Sequence, residues 1–480
     1  MMKPNILFLV IDGLRGDACT GKLKAVTPNI NNLIKNGISF NQAISSGPSS
    51  TPAVSSLLTS LYPFECLVQD GKINKLNPII DTHVKKLNEN GYSTYAMIQD
   101  VLSHIGFKEI FDKENLTTYN HDSEKLWSGL GDRILHKIDE LKSKNPWFFY
   151  VQIYDFNLLV HPYDKRYKKG PKEITDSKYG NNHYERILSV QDKWIGKILE
   201  KIDVENTLVV FTADHGLESG GYNKKLQDFD NLQRIKRDIK PGTSYQLASK
   251  IKSVIPFRKK IAGKYKEHIK NIKEDIQKPE LEKLEKLDLS NYEKRLMKFS
   301  IKPTSHVYDD RLHIPLIFYG YQIPSGKKID ELVRSIDIFP TIMDLISAKE
   351  KIENVRGQSF RPFFTNENAK RIMFTTFIES TVNIIDSTDS NVIGLRNSKF
   401  KYFRDRNNPL KNIHLYNLEN DPKEENNISM ESAKIIEEFE NELIQINSKR
   451  EFLIKNSSDN LDLIDSKKIE DKLRSAGYIN

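Results

Sequence analysis

The chain has 480 residues, 38% of them hydrophobic and 29% charged, with a formal net charge of +8. This is an ordinary globular composition, long enough for one large α/β domain with a satellite. It has no run of roughly 20 apolar residues that could span a bilayer, and two cysteines, Cys19 and Cys66, cannot make a disulfide framework. The opening MMKPNILFLVIDG turns acidic too soon for a secretory signal and lacks a small-residue cleavage site, so a cytoplasmic location is expected. The charge is uneven. Residues 221–300 carry 21 Lys and Arg against 11 Asp and Glu, so the rest of the chain is slightly acidic.

In chain order, Asn5–Ile11 (NILFLVI) reads as a strand buried on both faces, ending at Asp12-Gly13. Thr27-Pro28-Asn29 opens a helix that Gly37 stops, and Ile38–Ile44 reads as a strand. The polar turn at 45–52 leads into a short amphipathic stretch, Ser55–Leu61. Residues 78–90 read as a helix, Tyr92–Ile98 as a strand, Trp127–Ser143 as a helix and Trp147–Tyr154 as a buried strand ending at Asp155. His183–Ile202 is a helical pattern, and Thr207–Thr212 a strand ending at Ala213-Asp214-His215-Gly216. After the basic segment, Pro315–Tyr319 resumes the strand pattern, and residues 336–346 read as a strand end and a helix. From about 372 the strands become short, which predicts a smaller antiparallel sheet. A charged helix at 430–455, a polar linker at 456–467 and a short helix at 467–479 close the chain. Alternating strands and helices, with acids and histidines at strand ends, predict a doubly wound, mostly parallel sheet with its site along one edge.

Three pieces carry chemistry: Asp12, the hydroxyls Ser49, Ser50 and Thr51, and Asp214-His215. Two carboxylates and an imidazole at neighbouring strand ends can hold one divalent cation. Such an ion lowers the pKa of a bound hydroxyl and makes it a nucleophile. The hydroxyls are also ordinary turn and helix-cap residues, and Asp12 an ordinary turn residue. The coincidence of strand end, Asp-His-Gly and the earlier Asp-Gly favours the metal.

The chain resembles the sulfatase family of the alkaline phosphatase superfamily. The resemblance is carried by PNILFLVIDGLRGD (4–17), TPNINNLIKNGISF (27–40), STPAVSSLLTSLYP (50–63), ADHG (213–216) and YDDRLHIPLIFYG (308–320). RSIDIFPTIMDL (334–345), KFKYFRD (399–405), LYNLENDPKEENNI (415–428) and LRSAGYI (473–479) extend it. It implies an alkaline-phosphatase-like α/β catalytic domain over 1–370, with a basic helical insertion at 221–300. A C-terminal domain over 371–480, with a small antiparallel sheet and helices, follows. It implies hydrolysis of sulfate esters, of a small molecule or glycan, with one divalent ion (Ca, Mn or Zn) held by Asp12, Ser50, Asp214 and His215. Ser50 falls at the nucleophile position, and His161 and His313 resemble site histidines. As bare residues, His161 reads equally as a surface turn and His313 as structural.

The pattern departs from the family at three points. Sulfatases carry Cys, sometimes Ser, in Cys-x-Pro-x-Arg, oxidised to formylglycine; here the stretch is Ser50-Thr51-Pro52-Ala53-Val54. Gly13 replaces a second aspartate, and Gln152 stands where many relatives have histidine. Relatives with an unmodified Ser or Thr act on phosphate and phosphonate esters, so phosphoester hydrolysis or transfer by Ser50 is the alternative. An inactive binding scaffold is a second. In the basic segment, Leu247, Ile251, Val254, Ile255, Ile261, Tyr265 and Ile269 recur at helical spacing among lysines and Arg258. A basic amphipathic helix over 243–272 predicts peripheral contact with an anionic inner membrane face. A solvated helical insertion fits the same pattern. Few aromatics interleave these charges, which argues against nucleic acid.

Overall fold

The computed structural model describes residues 3–21, 23–70, 73–160, 170–221, 226, 278–301, 306–365, 375–380 and 392–454. The chain forms two compact units, 221–304 and the remainder. In the smaller unit, Leu226 and Leu284 cluster with Tyr292, Leu296, Met297 and Ile301 of the helix Asn291–Ile301. The stretch 243–272, His161 and the expected terminal helix lie outside the described residues.

The larger unit is built on strands β1 (Asn5–Ile11), β2 (Ile38–Ile44), a hairpin β3 (Leu67–Asp70) and β4 (Ile73–Leu76), β5 (Ser93–Gln99) and β6 (Leu116–Tyr119). β7 (Trp147–Ile153), β8 (Thr207–Thr212), β9 (His313–Ile314), β10 (Leu316–Gly320) and β11 (Lys327–Arg334) follow. The main sheet has the order β11-β2-β10-β8-β1-β7-β5-β6, with β9 paired to β2. β1, at its centre, pairs in parallel with both β7 and β8. Its residues Ile6–Ile11 are fully buried, as an apolar run covered on both faces must be.

Helices cover both faces. On one, Pro28–Asn36 and Leu130–Leu141 flank His183–Lys201. Asp192 on that long helix accepts the N–H groups of Asn29 and Ile30 at 3.1 and 2.8 Å, capping its neighbour across the interface. On the other, Ser50–Thr59, His83–Glu89 and Ile338–Leu345 pack together. Phe339 stacks on Phe8 of β1 at 5.2 Å and on His83 at 5.2 Å, which seats this layer on the central strand.

The structure corrects several expected boundaries. The amphipathic stretch expected at Ser55–Leu61 is a helix running Ser50–Thr59, entirely buried. Pro52 lies in its first turn, where a missing N–H costs nothing, so proline does not delay the start. The helix expected over 78–90 begins at His83, because Thr82 caps it by accepting the Lys85 N–H. The strand expected at Pro315–Tyr319 is Leu316–Gly320 and runs antiparallel to both β8 and β2.

The C-terminal strands β12 (Thr376–Glu379), β13 (Val392–Arg396), β14 (Phe400–Asp405) and β15 (His414–Asn417) form an antiparallel meander. Phe439 and Leu443, on the helix Ala433–Ile454, fill one face with Phe377, Ile393, Leu395 and Tyr402. The meander meets the main sheet through a buried charge group. Lys401, fully buried, pairs with Asp309 and with Glu424 at 2.8 Å, and Arg396 pairs with Asp309 at 3.0 Å. Removing one partner of a buried ion group leaves an uncompensated charge. Lys401→Met is therefore expected to lower unfolding free energy by about 3–5 kcal/mol in urea titration. A loss below about 1 kcal/mol would mean that the group is solvated.

Candidate metal and nucleophile site

The register of β1 and β8 creates the site. Val10 lies opposite Thr212, so Asp12 and Asp214, two residues further on, leave the sheet side by side. Gly13 then turns the chain at φ +79°, a left-handed conformation open to glycine, and bridges to Gly216. On the other side of β1, β7 brings Gln152 opposite Val10. The Gln152 Oε1 accepts the Tyr150 hydroxyl at 2.8 Å, which fixes the amide and turns Nε2 toward the acids. Nε2 donates to Asp12 Oδ2 at 3.3 Å and to Asp214 Oδ2 at 3.2 Å.

Ser50 enters from β2. It is the first residue of the buried helix Ser50–Thr59, where the positive end of the helix dipole favours negative charge. Its Oγ donates to Asp12 Oδ2 at 2.9 Å and lies 3.2 Å from His215 Nε2. His215 Nδ1 sits 2.8 Å from the Gly216 carbonyl, which can only accept. Nδ1 therefore carries a proton, and in the neutral imidazole Nε2 is the lone-pair nitrogen that faces Ser50 and the carboxylates. His215 N donates to Asp214 Oδ1 at 2.8 Å, orienting that carboxylate.

Asp12, Asp214 and His215 each offer one ligand atom, all within 4.8 Å of one another, and all three residues are buried. Burial, then the neighbouring Asp214 carboxylate, push the Asp12 carboxyl well above its usual range. Ser50 and Gln152 reach these acids only as neutral donors. Two buried carboxylates facing a bare imidazole nitrogen and a hydroxyl fit a divalent cation. The mixed oxygen and nitrogen set suits Mn²⁺ or Zn²⁺ at least as well as Ca²⁺.

The structure thus brings together Ser50, Asp12, Asp214 and His215. It places His313 differently. At the start of β9, His313 donates from Nε2 to the Asn41 carbonyl at 2.9 Å. Its ring lies over Gly16, where an added Cβ would come within 2.5 Å of Nε2. Neither contact is to Ser50 or to the acids. Val54 is buried in the apolar core and brings no charge to the site.

The supporting role of two features goes beyond the sequence reading. Gln152 stands where many relatives have histidine and is a lone polar residue in an otherwise apolar strand. The helical turn Asp309–Leu312 lies within a stretch that carries the family resemblance, but no pattern in it points to the contacts it makes. The Leu312 carbonyl accepts the Ser45 N–H at 2.8 Å, and Ser45 Oγ donates to the Asp214 carbonyl at 2.6 Å. Asp310 pairs with Arg15 at 2.8 Å, while Tyr184 OH bridges the Arg15 N–H and the Gly13 carbonyl at 2.9 and 3.1 Å.

Comparison with known proteins identifies relatives of the chain. The family model described as Sulfatase matches residues 4–348, and one described as N-sulphoglucosamine sulphohydrolase, C-terminal, matches 301–449. An ulvan-active sulfatase of Formosa agariphila is 24% identical over 288 residues, 54% of this chain and 54% of that protein. An N-acetylgalactosamine-6-O-sulfatase of Bacteroides thetaiotaomicron is 36% identical over 98 residues, 19% of each chain. The chain spans about half the length of the first of these relatives and less of the second. The solved structure of a 2-O GAG sulfatase superimposes with a TM-score of 0.63 at 14% identity, covering 96% of this chain and 95% of that one.

If the three buried groups hold a cation, His215→Ala should weaken Mn²⁺ binding at least about tenfold in isothermal titration calorimetry. Unchanged affinity would place the ion elsewhere.

Proposed function

The chain belongs to the sulfatase family, and on that premise we propose that it is a divalent-metal-dependent hydrolase of glycan sulfate esters with its nucleophile at Ser50. One observation carries the reading. Ser50 Oγ stands at a helix N-terminus, hydrogen-bonded to Asp12 Oδ2 and facing the lone pair of His215 Nε2. An anionic ester meets its most favourable field there. The glycan substrate is supported by relatives named for ulvan and for N-acetylgalactosamine.

Asp12, Asp214, His215 and Ser50 would hold the cation, which when bound would draw negative charge off a sulfate oxygen and acidify the Ser50 hydroxyl. The protein's own groups do the rest. Asp12 Oδ2 accepts the Ser50 proton and so aims the oxygen lone pairs outward. Gln152 Nε2 holds the two carboxylates at a fixed spacing. The Gly216 carbonyl keeps His215 in the tautomer that faces Ser50. Burial of all these groups excludes bulk water and strengthens each of their interactions with an anionic substrate.

A second reading, phosphoester cleavage or transfer by unmodified Ser50, is favoured by the apolar Val54 at the position of the family's arginine. The two readings differ in the mass of one peptide. Conversion of Ser50 to formylglycine, whose hydrate hydroxyl would take the place of Oγ, leaves the unhydrated peptide spanning 45–63 about 2 Da lighter. An unmodified serine would favour the phosphoester. In either case Ser50→Ala should abolish turnover of para-nitrophenyl sulfate or phosphate with an unchanged far-ultraviolet circular dichroism spectrum. Wild-type turnover by that variant would remove Ser50 from the reaction.

A further inference from the structure

Arg311 lies outside the metal cluster, yet its side chain touches two of the three loops that build the cluster. It sits in the turn Asp309–Leu312. Its Nε donates to Glu218 Oε1, three residues beyond His215, and its Nη1 donates to the Pro48 carbonyl at 3.3 Å, two residues before Ser50. Its own carbonyl accepts the Gly216 N–H at 2.7 Å, and the Gly216 carbonyl in turn holds His215 Nδ1. The approach is close: a Cβ on Gly216 would lie 2.2 Å from the Asp310 carbonyl oxygen.

The acceptor side is built to match. Glu218 is 1% exposed and also receives His306 Nε2 at 2.7 Å. His306 Nδ1 accepts the Tyr308 N–H at 3.3 Å, so the Nε2 of this imidazole is the donor. Burial alone would raise the Glu218 carboxyl; the Arg311 charge and the His306 hydrogen bond hold it well below the usual range. A guanidinium fork reaches Glu218 and Pro48 from two different nitrogens in one plane. A lysine ammonium, a single point on a flexible stem, has no such plane.

We propose that Arg311 is a positioning residue that clamps the Pro48–Ser50 turn to the Asp214–Glu218 loop and so sets the nucleophile against the metal ligands. The proposal rests on the hydrolase reading above. Other ties keep the same loops folded when the side chain is removed: Ser45 to Leu312 and Asp214, and Arg15 to Asp310.

The test uses the full chain loaded with Mn²⁺ and para-nitrophenyl sulfate or phosphate as probe. A displacement of the order of 1 Å at a reacting group costs about 100-fold in rate. Arg311→Ala is expected to lower kcat by about 100-fold. KM and Mn²⁺ affinity should stay within about threefold of the wild type. Millimolar guanidinium should restore part of kcat in Arg311→Ala and none in the wild type, and Arg311→Lys should remain impaired. Glu218→Gln should also lower kcat, and adding it to Arg311→Ala should cost little more, because the pair acts as one unit. An unchanged kcat, a raised KM at unchanged kcat, a failed guanidinium rescue or additive losses would each overturn the clamp. If the wild type turns over neither probe, the hydrolase reading fails by itself. The clamp is then decided by hydrogen–deuterium exchange, which must quicken in peptides 45–50 and 214–218 of Arg311→Ala. Unchanged exchange would overturn it.

Discussion

Two carboxylates, Asp12 and Asp214, are buried within 4.8 Å of each other and of His215 Nε2, and the site takes its form from that constraint. Two such charges repel by about 3 kcal/mol at the dielectric that suits protein interiors. The hydrogen bonds from Ser50 and Gln152 offset part of this and cancel none of the charge. A divalent cation would resolve the conflict, and His215 Nε2 would complete a donor set for it. Ser50, already bonded to Asp12, then has its oxygen where an acidified nucleophile is needed.

The rest of the larger unit holds this arrangement from behind. Parallel pairing of β8, β1 and β7 delivers Asp214, Asp12 and Gln152 to one edge of the sheet. The turn Asp309–Leu312 lies against all three loops, meeting Arg15 after β1, Ser45 after β2 and Gly216 after β8. Asp309, its first residue, is gripped by Arg396 and Lys401 of the small antiparallel sheet. The C-terminal sheet is thereby joined by buried charge to the turn that braces the site.

β1, β7 and β8 are legible in the chain because each is an apolar run too short for a helix and closed by a polar residue. Asp12 and Asp214-His215 are legible because strand ends are where such folds place ligands, and Ser50 because it stands at the nucleophile position of the family resemblance. What is not legible depends on register and on distant partners. That Asp12 and Asp214 are neighbours follows only from Val10 lying opposite Thr212. The antiparallel direction of β10 between β2 and β8 is encoded by no local pattern. His313 has the residue type of a site group, but its partner is the Asn41 carbonyl, and only the pairing of β9 with β2 reveals it. Arg311 lies in a stretch that carries the family resemblance, but its contacts with Pro48, Gly216 and Glu218 are not readable from it.

The central claim is that Ser50, Asp12, Asp214 and His215 form one divalent-metal centre. Crystals of the protein grown with Mn²⁺ and measured at the manganese absorption edge test it most directly. The account predicts one strong anomalous peak bounded by Asp12, Asp214, His215 Nε2 and the Ser50 side chain. A peak elsewhere, or none there in protein shown to contain manganese, would contradict it.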